Sequence, residues 1–170
     1  GAVTDIAASS RPLAFTLGGL SKTVGLPQVK LGWIVAGGEE RLRNEALAAL
    51  ELIADTYLSV STPVQVAAAD LLRRGAAIRS GILERIRGNL AALRRVAADF
   101  GAATVLTCEG GWYAVIRVPS TRSEEQLMLE LLERERVLVH PGYFFDFPHE
   151  AFVIVSLLPR PDIFADAAAL

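Results

Sequence analysis

Several residue types are scarce in this chain of 170 residues. It holds one cysteine, Cys108, one methionine, two histidines and only 7% aromatic residues. A lone cysteine excludes an internal disulfide and fits a reducing compartment. With no histidine near it in sequence, Cys108 reads as a small buried or turn residue and not as a nucleophile. No apolar run reaches the length a membrane helix needs, because charges or prolines interrupt each candidate. The formal charge of −2, from 17 basic and 19 acidic residues, gives no general attraction to nucleic acid or anionic membranes. Arg73, Arg74, Arg79, Arg85, Arg87, Arg94 and Arg95 read as the wet faces of helices. There is no internal repeat, low-complexity tract or disordered linker, and Gly1 opens without a charged leader-like segment. The expectation is a soluble, cytoplasmic protein with no nucleic-acid partner, no membrane partner and no metal. Core material is plentiful, since 52% of the residues are hydrophobic.

Periodicity divides the chain into strands and helices. Pro12 to Leu17 and Leu31 to Ala36 read as short strands, the second closed by Gly37-Gly38. From Glu39, the spacing of Leu42, Ala46, Leu50, Ile53 and Tyr57 predicts a helix. Ser61-Thr62-Pro63 predicts another, with Thr62 as cap, running to Gly75 and burying Val64, Ala67, Ala68 and Leu71. A longer helix carries Ile78, Ile82, Ile86, Leu93 and Ala97 on one face, weakened by Gly81 and Gly88 and ended by Phe100-Gly101. The period then becomes strand-like at Ala103 to Leu106 and Trp112 to Val118, around a Glu109-Gly110-Gly111 turn. Ser123-Glu124-Glu125-Gln126 is a capping box opening a helix through Leu132. Val137 to Val139 and Phe152 to Leu158 read as strands, and a helix begins at Asp162.

The most informative stretch lies between the first two strands. Lys22 sits in a turn of small residues directly behind Ser21, and a second cation, Lys30, follows eight positions on. Such a lysine can be approached by a large planar ligand, and a neighbouring cation favours the free amine that attacks carbonyls. A phosphate-cradling nucleotide loop would need glycine immediately before the lysine and another five residues earlier. Those positions are Ser21 and Thr16, so that alternative fails.

Ser21-Lys22, then Gly25-Leu26-Pro27, Lys30 and Leu31-Gly32-Trp33, resembles the cofactor-lysine motif of class I/II aminotransferases, which are pyridoxal-phosphate enzymes of fold type I. Val137 to Phe144, with Pro141-Gly142 within it, is similar to the family's Pro-Gly segment at the substrate entrance. The resemblance implies an α/β fold. Residues 1–60 would be the end of the large cofactor-binding domain with a connecting helix, and 61–170 the small C-terminal α+β domain, truncated. It implies pyridoxal 5'-phosphate as cofactor, Lys22 as the Schiff-base lysine, Lys30 at the cofactor phosphate and Ser21 as a helper there. Two departures stand out: the family usually carries arginine at position 30 and often serine at position 19, where this chain has Lys30 and Gly19.

The implied activity is transfer of an amino group between an amino acid, or related amine, and a keto acid through an imine on Lys22, in a homodimer. The family's upstream cofactor contacts include an Asp…Tyr pair, and Asp5 lies too close to Lys22 to be that aspartate. The chain is therefore expected to be a fragment, truncated before Gly1 and after Leu170, with little activity alone. The family also clamps the substrate carboxylate with an arginine two residues before a serine in the last strand. Against Ser156 that position is Ile154, and Arg160 is the nearest alternative. The missing clamp keeps two other readings open: a lyase or decarboxylase on the same fold, and a non-catalytic relative that binds a ligand or partner.

Overall fold

Glycines at strand ends and positive-φ turns set the path of this chain more than any single apolar run does. The computed structural model describes residues 11–57, 59–149 and 151–170, which form two compact units, one through Gly81 and one from Ile82 to Leu170. Helices and strands are mixed along the chain, in keeping with the expected α/β class.

In the first unit, β1 (Ala14–Gly19) pairs antiparallel with β2 (Gly32–Gly37), in register from Ala14↔Gly37 to Gly19↔Gly32. Both strands begin and end one or two residues later than the apolar pattern suggests. The ladder continues through glycines whose missing side chains permit close approach. A Cβ on Gly18 would lie 2.4 Å from the indole nitrogen of Trp33, so the ring covers this glycine across the hairpin. The one-turn helix α1 (Leu20–Thr23) follows β1 directly.

Helix α2 (Glu40–Asp55) starts at Glu39, whose carboxylate accepts from the N–H groups of Arg41 and Leu42 at 3.0 and 3.3 Å. Its apolar stripe is only partly covered by the described residues: Ala46 and Leu50 are half-buried, while Leu42, Ile53 and the following Tyr57 are exposed. Helix α3 (Thr62–Arg74) has Ser61 at the cap position expected for Thr62, which falls inside the first turn with Pro63. Val64, Ala67, Ala68 and Leu71 are half-buried rather than buried. Gly75, at the end of α3, is pressed against Val24: a Cβ there would lie 2.3 Å from Val24 Cγ1.

Helix α4 (Ala76–Phe100) ends at Gly101, where φ is +68°. In the second unit, β3 (Thr104–Val105), β4 (Tyr113–Arg117), β5 (His140–Pro141) and β6 (Phe152–Ser156) form an antiparallel sheet in the order β3-β4-β6-β5. Ile86 and Leu93 of α4 pack with Ala114, Leu157 and Phe164, the last from α6 (Pro161–Ala168), as one core. Ile78, placed on the same helical face by periodicity, is exposed. Buried Asn89 donates to the carbonyls of Leu157 and Pro159 at 3.0 and 2.9 Å, clamping the chain beyond β6 onto the helix.

Helix α5 (Glu124–Glu130) opens with the expected capping box and passes into a π-helical turn, Leu131–Glu135. That turn ends at Arg136 in left-handed conformation, φ 59°. Val137 to Val139 is consequently no strand. The wider turn delays the return of the chain, and pairing with β6 begins at His140↔Ile154 and Pro141↔Val153.

Two glycines of the helical stretch should respond oppositely to alanine. Gly88 is exposed within α4 and a Cβ there meets nothing within 4 Å, so Gly88→Ala should stabilise by about 0.5–1 kcal/mol. Gly75→Ala forces its methyl into Val24 and should destabilise by about 1–3 kcal/mol. Urea-denaturation midpoints of the two variants check both signs.

Candidate active site

Leu20 is the pivot of the lysine turn. Its side chain is fully buried, its N–H donates to the Leu31 carbonyl at 3.0 Å, and its carbonyl accepts from Val24 and Leu26 at 3.3 and 3.0 Å. These bonds carry the β-ladder one step past Gly19 and fold the next six residues back over Leu20. Gly25, at φ +68°, makes the reversal that a side chain would strain. Pro27–Val29 then forms a single 3₁₀ turn capped by Lys30, which adopts a left-handed φ of 57° at a cost of about 1 kcal/mol or more for a residue with a Cβ.

The result is a concavity of about 510 Å³ whose lining includes Gly18, Gly19, Ser21, Lys22, Thr23, Lys30 and Gly32. All three residues singled out from the sequence, Ser21, Lys22 and Lys30, are therefore brought to one cavity. Lys22 and Lys30 are exposed and Ser21 is half-buried. Thr23 adds a second hydroxyl that the sequence pattern did not single out. The donor set suits a planar aldehyde carrying a phosphate: one primary amine, a second cation, two hydroxyls and a floor of glycine backbone. Trp33 packs on Gly18 within the hairpin, as a structural residue would.

The second unit holds the Pro-Gly segment. Pro141 and Gly142 are buried, and the turn Gly142–Phe145 exposes Tyr143, Phe144 and Phe145. Exposed His140 lies 6.2 and 6.3 Å from the rings of Phe144 and Phe145, and Tyr143 meets Phe144 edge-on at 4.9 Å. Phe147 is different: half-buried, it packs on Phe152 at 4.6 Å. Glu124, read from sequence only as part of a capping box, is 3% exposed and accepts from the N–H groups of Tyr143 and Phe152 at 3.0 and 2.8 Å. Acidic side chains are seldom so buried. Only a glutamate falling just inside a cap could have hinted at it.

Ile154 lies in a cross-strand row between His140 and Val115, 3% exposed, and that row contains no lysine or arginine. Arg160 lies past the strand, where its guanidinium bonds both carboxylate oxygens of Asp162 at 3.2 and 2.6 Å. It is engaged with Asp162 at the start of α6.

The described residues thus present a lysine turn on an antiparallel hairpin, followed in sequence by a helix-backed antiparallel sheet. The sequence profile described as aminotransferase class I and II matches residues 3–160, and the chain belongs to that family. The family's cofactor is pyridoxal 5'-phosphate. The capreomycidine synthase of Streptomyces vinaceus is 30% identical over all of this chain and 45% of its own length. A glutamate–pyruvate aminotransferase of Escherichia coli is 26% identical, over 88% of this chain and 38% of its own. The chain thus spans less than half the length of these relatives. In fold it is similar to the alanine aminotransferase of Pyrococcus furiosus, with a TM-score of 0.79 at 16% identity over 95% of this chain and 42% of that one. The tyrosine aminotransferase of Leishmania infantum gives 0.78 at 16% identity, over 94% and 40%.

The Arg160 guanidinium, and after it the Ile163 N–H, holds the Asp162 carboxyl below its ordinary value. A depressed carboxyl contributes stability above its unfolded pKa, about 3.9, and loses it as pH falls through the folded value. Both side chains are exposed, so the contribution is small. Arg160→Ala should move the Asp162 titration midpoint back up, read by NMR, with little change in unfolding midpoint at neutral pH. An unmoved Asp162 would give the whole effect to the helix start.

Proposed function

We propose that the intact protein is a pyridoxal-phosphate-dependent aminotransferase that moves an amino group between an amino acid or related amine and a keto acid. The observation that carries this reading is the gathering of Ser21, Lys22 and Lys30 on one glycine-floored cavity. In this reading residues 1–60 close the cofactor-binding domain and 61–170 form the small C-terminal domain. The protein works as a cytoplasmic homodimer.

The cofactor, when bound, supplies an aldehyde for imine formation and a ring that accepts electrons from the substrate Cα. The chain supplies the rest of the local chemistry. Lys22 Nζ is the nucleophile that holds the aldehyde carbon and, once released, takes and returns a proton at its own amine. The single turn of α1 fixes the backbone from which the flexible Lys22 side chain reaches the cavity. Lys30 offers a point charge to the phosphate, and the Ser21 hydroxyl donates beside it. Ile154, between His140 and Val115, leaves no lysine or arginine where a carboxylate clamp would be expected, which favours a substrate held by other groups. The same row also suits a lyase or decarboxylase. Dependence of product formation on a keto-acid acceptor separates the two.

In the intact protein, Lys22→Ala should lower amino transfer by about 10²- to 10⁴-fold, the range for loss of a positioned proton carrier. Lys30→Ala should weaken binding of pyridoxal phosphate by about tenfold or more while leaving pyridoxal, which lacks the phosphate, unaffected; Lys30→Arg should restore binding. Equal losses for both compounds would remove Lys30 from the phosphate. Full activity in Lys22→Ala would end the proposal.

A further inference from the structure

One cavity of the second unit plays no part in the function proposed above. Its volume is about 470 Å³, and it shares no lining residue with the concavity of Lys22. Phe100, Val118, Leu127 and Leu131 give it an apolar wall, and the Phe100 ring is exposed beside it. Arg122, Glu130, Arg134 and Glu135 give it a charged rim. Glu130 bonds both guanidiniums, Arg122 through one oxygen and Arg134, at 2.7 Å, through the other. Each arginine uses a single nitrogen for this, so further N–H donors remain on both. The Glu135 carboxylate is exposed and makes no bond among the described residues. Leu131, Arg134 and Glu135 all belong to the π-helical turn Leu131–Glu135. Such turns are rare interruptions of α-helices and occur frequently at functional sites. Here the wide turn brings an apolar side chain, a cation and an anion to one cavity.

We propose that this cavity binds an apolar α-amino acid, separately from the reaction at Lys22. The charge pattern selects the ligand. A simple anion would be drawn to the two arginines but repelled by the two carboxylates, and a simple cation the reverse. A zwitterion satisfies both signs at once: its carboxylate takes the remaining N–H donors of Arg122 and Arg134, and its ammonium faces Glu135. The apolar wall then receives the side chain, and removing that side chain from water supplies the affinity. Exposed charge pairs add little by themselves, so the expected dissociation constant is about 0.1–1 mM. The site needs nothing from a cofactor and does not depend on the amino-transfer reading.

Hydrogen exchange of the Leu131–Glu135 amides in the intact protein, with L-leucine as probe, tests the site. L-Leucine at about 10 mM should slow exchange there by about threefold or more. Glycine, with both charges and no side chain, should bind about tenfold more weakly. Isocaproate, which lacks the ammonium, and isoamylamine, which lacks the carboxylate, should be weaker by a similar factor. Arg134→Ala and Glu135→Gln, both at exposed positions, should each abolish the protection, while Lys22→Ala should leave it unchanged. No slowing by L-leucine overturns the site. Slowing that disappears in Lys22→Ala assigns the ligand to the lysine cavity and overturns it equally. Isocaproate or isoamylamine binding as tightly as L-leucine overturns the choice of a zwitterion. Wild-type protection in both Arg134→Ala and Glu135→Gln removes the charged rim from recognition, and the proposal with it.

Discussion

The lysine turn depends on the burial of Leu20. Its side chain, worth about 1.5–3 kcal/mol when removed from water, holds the turn down, and its backbone bonds three other positions. Hydrophobic burial is non-directional, so by itself it would leave the neighbouring side chains free to wander. Hydrogen bonds to Leu31, Val24 and Leu26 remove that freedom, because they determine which way the chain leaves Leu20 in both directions. Ser21 and Lys22 come next in sequence and inherit the orientation. Lys30 enters from the other end of the same loop, one residue before the Leu31 carbonyl that closes it.

The two units use the same economy in different ways. In the first, glycines let an indole, a valine and a strand backbone come close, and the Cβ positions they lack mark where the packing is tightest. In the second, buried polar groups do the fixing: Asn89 ties the end of β6 to α4, and Glu124 ties the aromatic turn to α5. Both are side chains that bond main-chain groups far away in sequence. Among the described residues no buried side-chain nitrogen or oxygen lacks a hydrogen-bond partner, as buried polar groups in a stable fold require.

Much of this was legible in the residue pattern. Helices α3, α4 and α5 follow from periodicity and caps, and Ser21, Lys22 and Lys30 follow from a motif with strict spacing. The misses have physical causes. Val137 to Val139 has strand composition but sits behind a π-helical turn and a left-handed Arg136, which no propensity scale registers. The stripe on α2 is apolar and correctly phased, yet phase alone does not say what covers it. Glu124 and Asn89 were invisible as anchors because their partners lie 19 to 70 residues away, and a single sequence carries no record of such pairings. The cap at Ser61 rather than Thr62 is the one-residue uncertainty that any helix start carries.

The central claim is that the amine of Lys22, and not any other lysine, meets the aldehyde of pyridoxal phosphate. Reducing the intact protein with borohydride in the presence of the cofactor, then mapping the modified peptide by mass spectrometry, tests it directly. The account predicts a single stoichiometric adduct on Lys22. An adduct on Lys30 alone, or spread over lysines with none enriched at Lys22, would contradict it.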